Sequence, residues 1–211
     1  QVAAVRRDEF PAVGPGVPSR LLAEIRALTR IPRLTQMEKA VSAQDGFAKY
    51  LFRGDGPELF EAVRIPLLHR PDDLKYVVCV SSQVGCAMGC VFCATARMGM
   101  RRNLAAWEMV DQVARIQADS EHPVRGIVFM GMGEPLLNYE AVLTAAAVLS
   151  ESCGMAISGK AITISTVGIV PGIRRLAAGR HAYRLIVSLT SADPAQRRAL
   201  MPVEAAYPTP E

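Results

Sequence analysis

The chain has 211 residues, half of them hydrophobic and 21% charged, a length that fits one domain or one with a small appendage and a balance that excludes disorder and coiled coil. No apolar run approaches the roughly 18 residues that cross a bilayer, and neither terminus reads as a secretory or lipid-attachment signal, so the cytoplasm is the expected compartment. The net charge of +4, with 20 arginines among 24 basic residues, permits a polyanionic partner without demanding one, and five cysteines, an odd number, do not describe a disulfide framework.

Residues 1 to about 20 carry Pro11, Gly14, Pro15, Gly16 and Pro18 and read as an irregular leader. From Ser19 as N-cap, Leu21, Leu22, Ile25 and Leu28 recur at helical spacing up to the break at Pro32. A second short helix is expected around 36–43. The period then changes to two, and strands over 47–53 and 59–65 flank the turn Gly54-Asp55-Gly56 as a hairpin ending before Pro66. These pieces predict a small α/β appendage over 1–72, ahead of a core over 73–211.

In the core, strands alternate with helices: strand 76–80, helix about 104–119, strand 126–130, helix about 139–152, strand 161–165, helix about 172–178, strand 183–189 and helix about 194–200. The strands are short continuous apolar runs such as Ile127-Val128-Phe129-Met130, which is how parallel strands buried on both faces read. About four βα units cannot close an eight-stranded barrel. The expected fold is therefore α/β, a partial (β/α) barrel that either stays open or belongs to a longer protein.

The sharpest chemical signal is Cys86-Ala87-Met88-Gly89-Cys90-Val91-Phe92-Cys93, in the loop after the strand ending at Val80. A parallel βα fold builds its active site from such loops. Three thiolates fall one short of a closed metal set, and an iron-sulfur cube held by three keeps one iron open to bind and reduce a substrate. The alternative is a zinc knuckle completed by His122, His181 or His69.

Cys-x3-Cys-x2-Cys after the first strand of a βα repeat resembles the radical S-adenosylmethionine (SAM) superfamily. The flanks Cys79-Val80-Ser81-Ser82-Gln83-Val84-Gly85-Cys86 and Phe92-Cys93-Ala94-Thr95-Ala96 are similar to the RlmN/Cfr family of RNA adenine methyltransferases. So is Phe129-Met130-Gly131-Met132-Gly133-Glu134-Pro135-Leu136-Leu137-Asn138, and the likeness runs from about residue 47 to residue 207. The resemblance implies a radical SAM barrel in which Cys86, Cys90 and Cys93 hold a 4Fe-4S cluster. It implies SAM contacts from Gly133 and Glu134, from Ser165, and from Ser188, Leu189 and Thr190. Glycines that let backbone approach a ligand and a carboxylate that pairs with an ammonium suit that role. Glu61 matches the family glutamate that accepts a proton from the adenine carbon, and Cys79 matches the cysteine that resolves the covalent link to RNA by forming a disulfide.

The implied reaction cleaves SAM to a 5′-deoxyadenosyl radical, which takes hydrogen from a methyl group on a further, C-terminal cysteine. The resulting carbon radical adds to carbon 2 of an adenine in 23S rRNA or tRNA. The implied partners are that RNA and a reducing protein such as flavodoxin or ferredoxin, with the chain itself a monomer. Arg97, Arg101 and Arg102 place positive charge near the expected site mouth, and Met98 and Met100 read as packing residues.

Two features depart from the family. Thr190 stands where the family has a histidine, followed by Ser191-Ala192-Asp193 in place of Ala-Pro-Asn or Ser-Pro-Phe, and threonine cannot titrate near neutral pH. No cysteine follows Cys153, which is read as structural because it is expected on the face opposite the active-site loops, so the methyl carrier is missing and a fragment of a longer protein is expected. A radical SAM protein of different reaction, or a module that only binds a cluster or zinc, remain the alternatives.

Overall fold

The computed structural model describes residues 16–68, 74–152 and 154–208. Residues 1–15, His69 and Cys153 lie outside the described residues.

Helix α1 (Ser19–Leu28) begins as its apolar spacing predicts, with Pro18 rather than Ser19 at the N-cap and only Leu22 buried. The expected second helix is instead strand β1 (Thr35–Val41), exposed along its whole length. It pairs antiparallel with β2 (Ala48–Arg53), from Thr35 opposite Arg53 to Val41 opposite Ala48. No alternation marks β1 because neither face is covered, and the ladder overrides a weak local preference. Strand β3 (Leu59–Leu68) completes the predicted hairpin but runs on through Pro66. Beyond Arg64 it has no β2 partner, and Pro66 pairs with Tyr76 on its other side only, a place where a strand tolerates a missing N–H.

Strand β4 (Leu74–Val80) is followed by the short ribbon of β5 (Gln83–Val84) and β6 (Arg102–Asn103), with the single turn α2 (Ala94–Arg97) between them. Then come α3 (Ala106–Ala118), β7 (Val124–Phe129), α4 (Tyr139–Ser150) and β8 (Ile162–Thr166). The described chain continues with α5 (Val170–Ala178), β9 (Arg184–Val187) and α6 (Pro194–Leu200). The seven-stranded sheet has the order β1-β2-β3-β4-β7-β8-β9, so it is continuous from the hairpin into the four parallel strands of a partial barrel.

One face of this sheet is packed. Val78, Val80, Ile127, Phe129, Ile162 and Ile164 bury themselves against α3 and α4, where Met109, Val113, Ile116, Val142, Ala145 and Leu149 meet them. Burial of side chains of this size contributes about 1.5–3 kcal/mol each. Under the hairpin Tyr50 stacks on Phe52 at 5.9 Å, extending the same core. The other face carries Glu61, Val63, Cys79, Val128 and Ser165, by the two-residue alternation of paired strands. Among the described residues no helix is long and apolar enough to cross a membrane.

Candidate functional site

The parallel strands all direct their carboxyl ends one way, so the loops after β4, β7, β8 and β9 gather at one edge of the sheet. They border a cavity of about 170 Å³ lined by Cys86, Cys90, Cys93, Gly133, Glu134, Ser165 and Ser188.

The cysteine loop is held by buried amides. Gln112 on α3, fully buried, accepts from the Ser81 N–H at 2.9 Å and donates to the Ser81 carbonyl at 3.1 Å. Asn138 Nδ2 donates to the carbonyls of Ser82 and Leu104, both at 2.8 Å, so one side chain ties the two ends of the loop. Gly85 sits at φ 76°, and a Cβ there would fall 1.8 Å from the Gly99 carbonyl oxygen, so the ribbon closes only around glycine. The thiols of Cys86, Cys90 and Cys93 are free, and burial pushes those of Cys86 and Cys90 up; a bound cation would reverse that balance toward thiolate. Among the described residues no three metal-ligating side chains converge on a single point, and the three thiols instead border a shared space.

Glu134 is 2% exposed. Its Oε1 accepts from the Leu136 N–H at 3.0 Å and its Oε2 from the Val167 N–H at 2.9 Å, so it ties the loops after β7 and β8. Burial pushes its carboxyl up, and those backbone donors pull the other way. Its own N–H donates to Gln83 Oε1 at 2.8 Å, while Gln83 Nε2 donates to Asn103 at 2.8 Å. Gly133, at φ 102°, lets the chain pass so close that a Cβ would lie 2.6 Å from that of Gln83. Ser165 and Ser188 bring their hydroxyls to 3.5 Å of each other across β8 and β9.

Leu189 and Thr190 are exposed and do not line the cavity. Thr190 has φ 63°, and the Ser191 N–H donates to the Leu189 carbonyl at 2.7 Å, a three-residue turn that costs a β-branched residue about 1–3 kcal/mol of backbone strain. Glu61 and Cys79 share the open face beside the cavity without lining it. The Glu61 carboxylate pairs with Lys49 Nζ at 3.0 Å, its N–H donates to the Met132 sulfur at 3.4 Å, and its carbonyl accepts from the Ser81 hydroxyl. Burial pushes the Cys79 thiol up to about 11, against the opposing effect of the Met130 backbone.

His122 meets the Tyr76 ring at a tilt of 59° just ahead of β7, and His181 stacks on Tyr183 just ahead of β9. Both sit at the amino ends of the strands, opposite the cysteines, so neither completes a zinc knuckle with them. Of the arginines expected at the mouth, Arg97 and Arg101 are exposed, but Arg102 is held by Glu108 at 2.8 Å and Glu58 at 3.4 Å. Met98 and Met100 are exposed beside them rather than packed. Sequence reasoning alone does not reveal the roles of Gln83, Gln112 and Arg197, polar residues whose importance comes from burial; Gln83 and Asn138 lie within motifs that could point to them, and Gln112 and Arg197 do not.

The sequence pattern described as the radical SAM superfamily matches residues 80–206. A probable RNA methyltransferase of Myxococcus xanthus is 49% identical over 92% of this chain and 53% of its own length. The dual-specificity RNA methyltransferase RlmN of Syntrophobacter fumaroxidans is 50% identical over 81% of this chain and 48% of its own. A radical SAM methyltransferase from Sphaerobacter thermophilus, known from a crystal structure, superposes with a TM-score of 0.80 at 38% identity, covering 92% of this chain and 56% of that one. The chain spans about half the length of the curated relatives it matches.

Proposed function

The chain belongs to the radical SAM superfamily, and from that premise we propose that it serves an RNA methyltransferase of the RlmN/Cfr type, acting on carbon 2 of an adenine in 23S rRNA or tRNA. The observation that carries the reading is the single cavity shared by three free thiols and by Gly133, Glu134, Ser165 and Ser188.

The donor set fits a 4Fe-4S cluster, because three thiolates bordering one space leave a metal position for SAM. A cluster held by Cys86, Cys90 and Cys93 would supply the electron that cleaves SAM. The chain's own residues do the rest by placement. Glu134, fixed through both carboxylate oxygens, presents negative charge to the SAM ammonium, with Gly133 admitting the ligand to the backbone. Ser165 and Ser188 offer paired hydroxyls from the neighbouring strands, and the loop at Leu189 and Thr190 borders them. Glu61 takes the proton from the adenine carbon once Lys49 yields its carboxylate oxygen. Cys79, a thiol at neutral pH, gives up its proton as its sulfur attacks that of the enzyme–RNA thioether. The sulfur–carbon bond breaks, the carbon takes up a proton to become the adenine's methyl group, and the two sulfurs end in a disulfide that joins Cys79 to the methyl-carrying cysteine, which is not among these 211 residues. Arg97 and Arg101, exposed beside the cysteine loop, suit an RNA backbone, and a flavodoxin- or ferredoxin-like protein is the proposed reductant.

The test is anaerobic reconstitution with iron and sulfide, addition of SAM and dithionite, and quantification of 5′-deoxyadenosine beside a variant with Cys86, Cys90 and Cys93 changed to Ala. Deoxyadenosine from the parent alone is expected. None from a parent that carries a full complement of cluster would refute the proposed SAM chemistry.

A further inference from the structure

We infer that Arg197 is the positioning residue of this cavity, an interior clamp that fixes the loops after β8 and β9 in the arrangement that receives SAM; the inference rests on the function proposed above. It is the one buried residue of α6, a helix otherwise turned largely to solvent, and it is only 2% exposed. A buried cation needs partners, and those of Arg197 are drawn from the cavity's own loops. Its Nε donates to the Leu189 carbonyl at 2.9 Å and one terminal nitrogen donates to the Val167 carbonyl at 2.7 Å. The other pairs with Glu204, itself fully buried, which balances the charge and leaves the fork free to hold the two loops.

What these carbonyls belong to gives the clamp its meaning. Val167 also donates its N–H to Glu134 Oε2, so Arg197 and Glu134 grip the same residue from opposite sides. Leu189 closes the strained turn at Thr190, and the guanidinium holds that carbonyl where the turn needs it. Just ahead of the two gripped residues in the chain stands the pair Ser165 and Ser188. At the end of α6 the Leu200 carbonyl accepts the Val91 N–H at 3.0 Å, which joins the same helix to the cysteine loop. One cation thus orders walls of the cavity that a ligand would otherwise have to order on binding. Lysine, with a single point charge, cannot serve both carbonyls and Glu204 in one plane.

The test is a double variant, Arg197→Met with Glu204→Leu, which removes the pair without stranding a buried charge and so spares the fold. Arg197→Lys is the second variant, keeping charge beside Glu204 while losing the fork. Iron and sulfide content, equilibrium SAM binding to the reconstituted chain, and amide hydrogen exchange of the apo chain are measured for each. In the double variant the iron content is expected to hold and the SAM dissociation constant to rise about tenfold or more. Exchange at Val167, Gly168, Ser188 and Ser191 should quicken about tenfold while α3 and α4 stay protected. Arg197→Lys should show most of the same loss. SAM affinity within about twofold of the parent, or exchange that is unchanged or quickened uniformly across the chain, would overturn the inference. If the parent with full cluster fails to bind SAM, the proposed function falls, and exchange at those four amides alone decides for or against the clamp.

Discussion

Replacing Gln112 by Leu removes the amide that holds the start of the cysteine loop while keeping nearly the same volume. Both hydrogen bonds to Ser81 are lost, and Ser81 is fully buried, so its N–H and carbonyl have no water to turn to. Each stranded group costs about 1–3 kcal/mol, together about 2–6 kcal/mol, against a total stability of about 5–15 kcal/mol for a domain. For a chain of this size that is a fall in Tm of about 4 to 24 °C. Urea unfolding should show the midpoint dropping with no change in slope, since the surface exposed on unfolding is the same. Iron uptake on reconstitution should fall with it, because Ser81 leads directly into the loop that carries Cys86. An unfolding free energy within about 1 kcal/mol of the parent's would refute the claim that Gln112 holds this loop.

Glu134→Gln turns a donor toward either the Leu136 or the Val167 N–H, and should weaken SAM binding with little change in iron content. Burial raises the Glu134 carboxyl, so its contribution to stability is present below the ordinary 4.5 and is lost as pH rises through the raised value. Paired urea titrations should therefore show the parent losing stability relative to Glu134→Gln as pH climbs above 4.5, and parallel curves would contradict this. Cys79, with its thiol pushed up to about 11, should react with iodoacetamide at pH 8 about a hundredfold more slowly in the native chain than in urea; equal rates by peptide mapping would dismiss its burial. Gly85→Ala places a Cβ against the Gly99 carbonyl at positive φ, and should cost about 2 kcal/mol or more and abolish cluster loading. An alanine variant that melts with the parent and takes up iron normally would count against the closed ribbon.

The parts of the fold legible in the sequence were those with a local signature. Continuous apolar runs located β7 and β8 to within about two residues, and Asp193 followed by Pro194 announces α6 through a side chain that accepts from the N–H groups of Ala195 and Gln196. The spacing of the three cysteines and the Gly131 to Asn138 motif pointed to residues that the structure brings around one cavity. Strand β1 was not legible, since its seven residues make no buried face and depend on β2 for their conformation. The inside of the site was hidden for a related reason. Gln112 and Arg197 lie 31 and 30 residues in sequence from Ser81 and Val167, the groups they hold, and a polar residue on a helix reads as solvated until tertiary packing encloses it. Arg102 shows the converse, a candidate RNA contact whose guanidinium is committed to Glu108 and Glu58.

The central claim is that Cys86, Cys90 and Cys93 together hold a 4Fe-4S cluster with one iron open to SAM. Electron paramagnetic resonance of the reduced, reconstituted chain with and without SAM, alongside iron, sulfide and zinc analysis, tests it most directly. About four irons and four sulfides per chain are expected, with a reduced-cluster signal that shifts when SAM is added, and neither in the variant with all three cysteines changed to Ala. Bound zinc with no cluster, or a cluster signal that SAM leaves untouched, would contradict it.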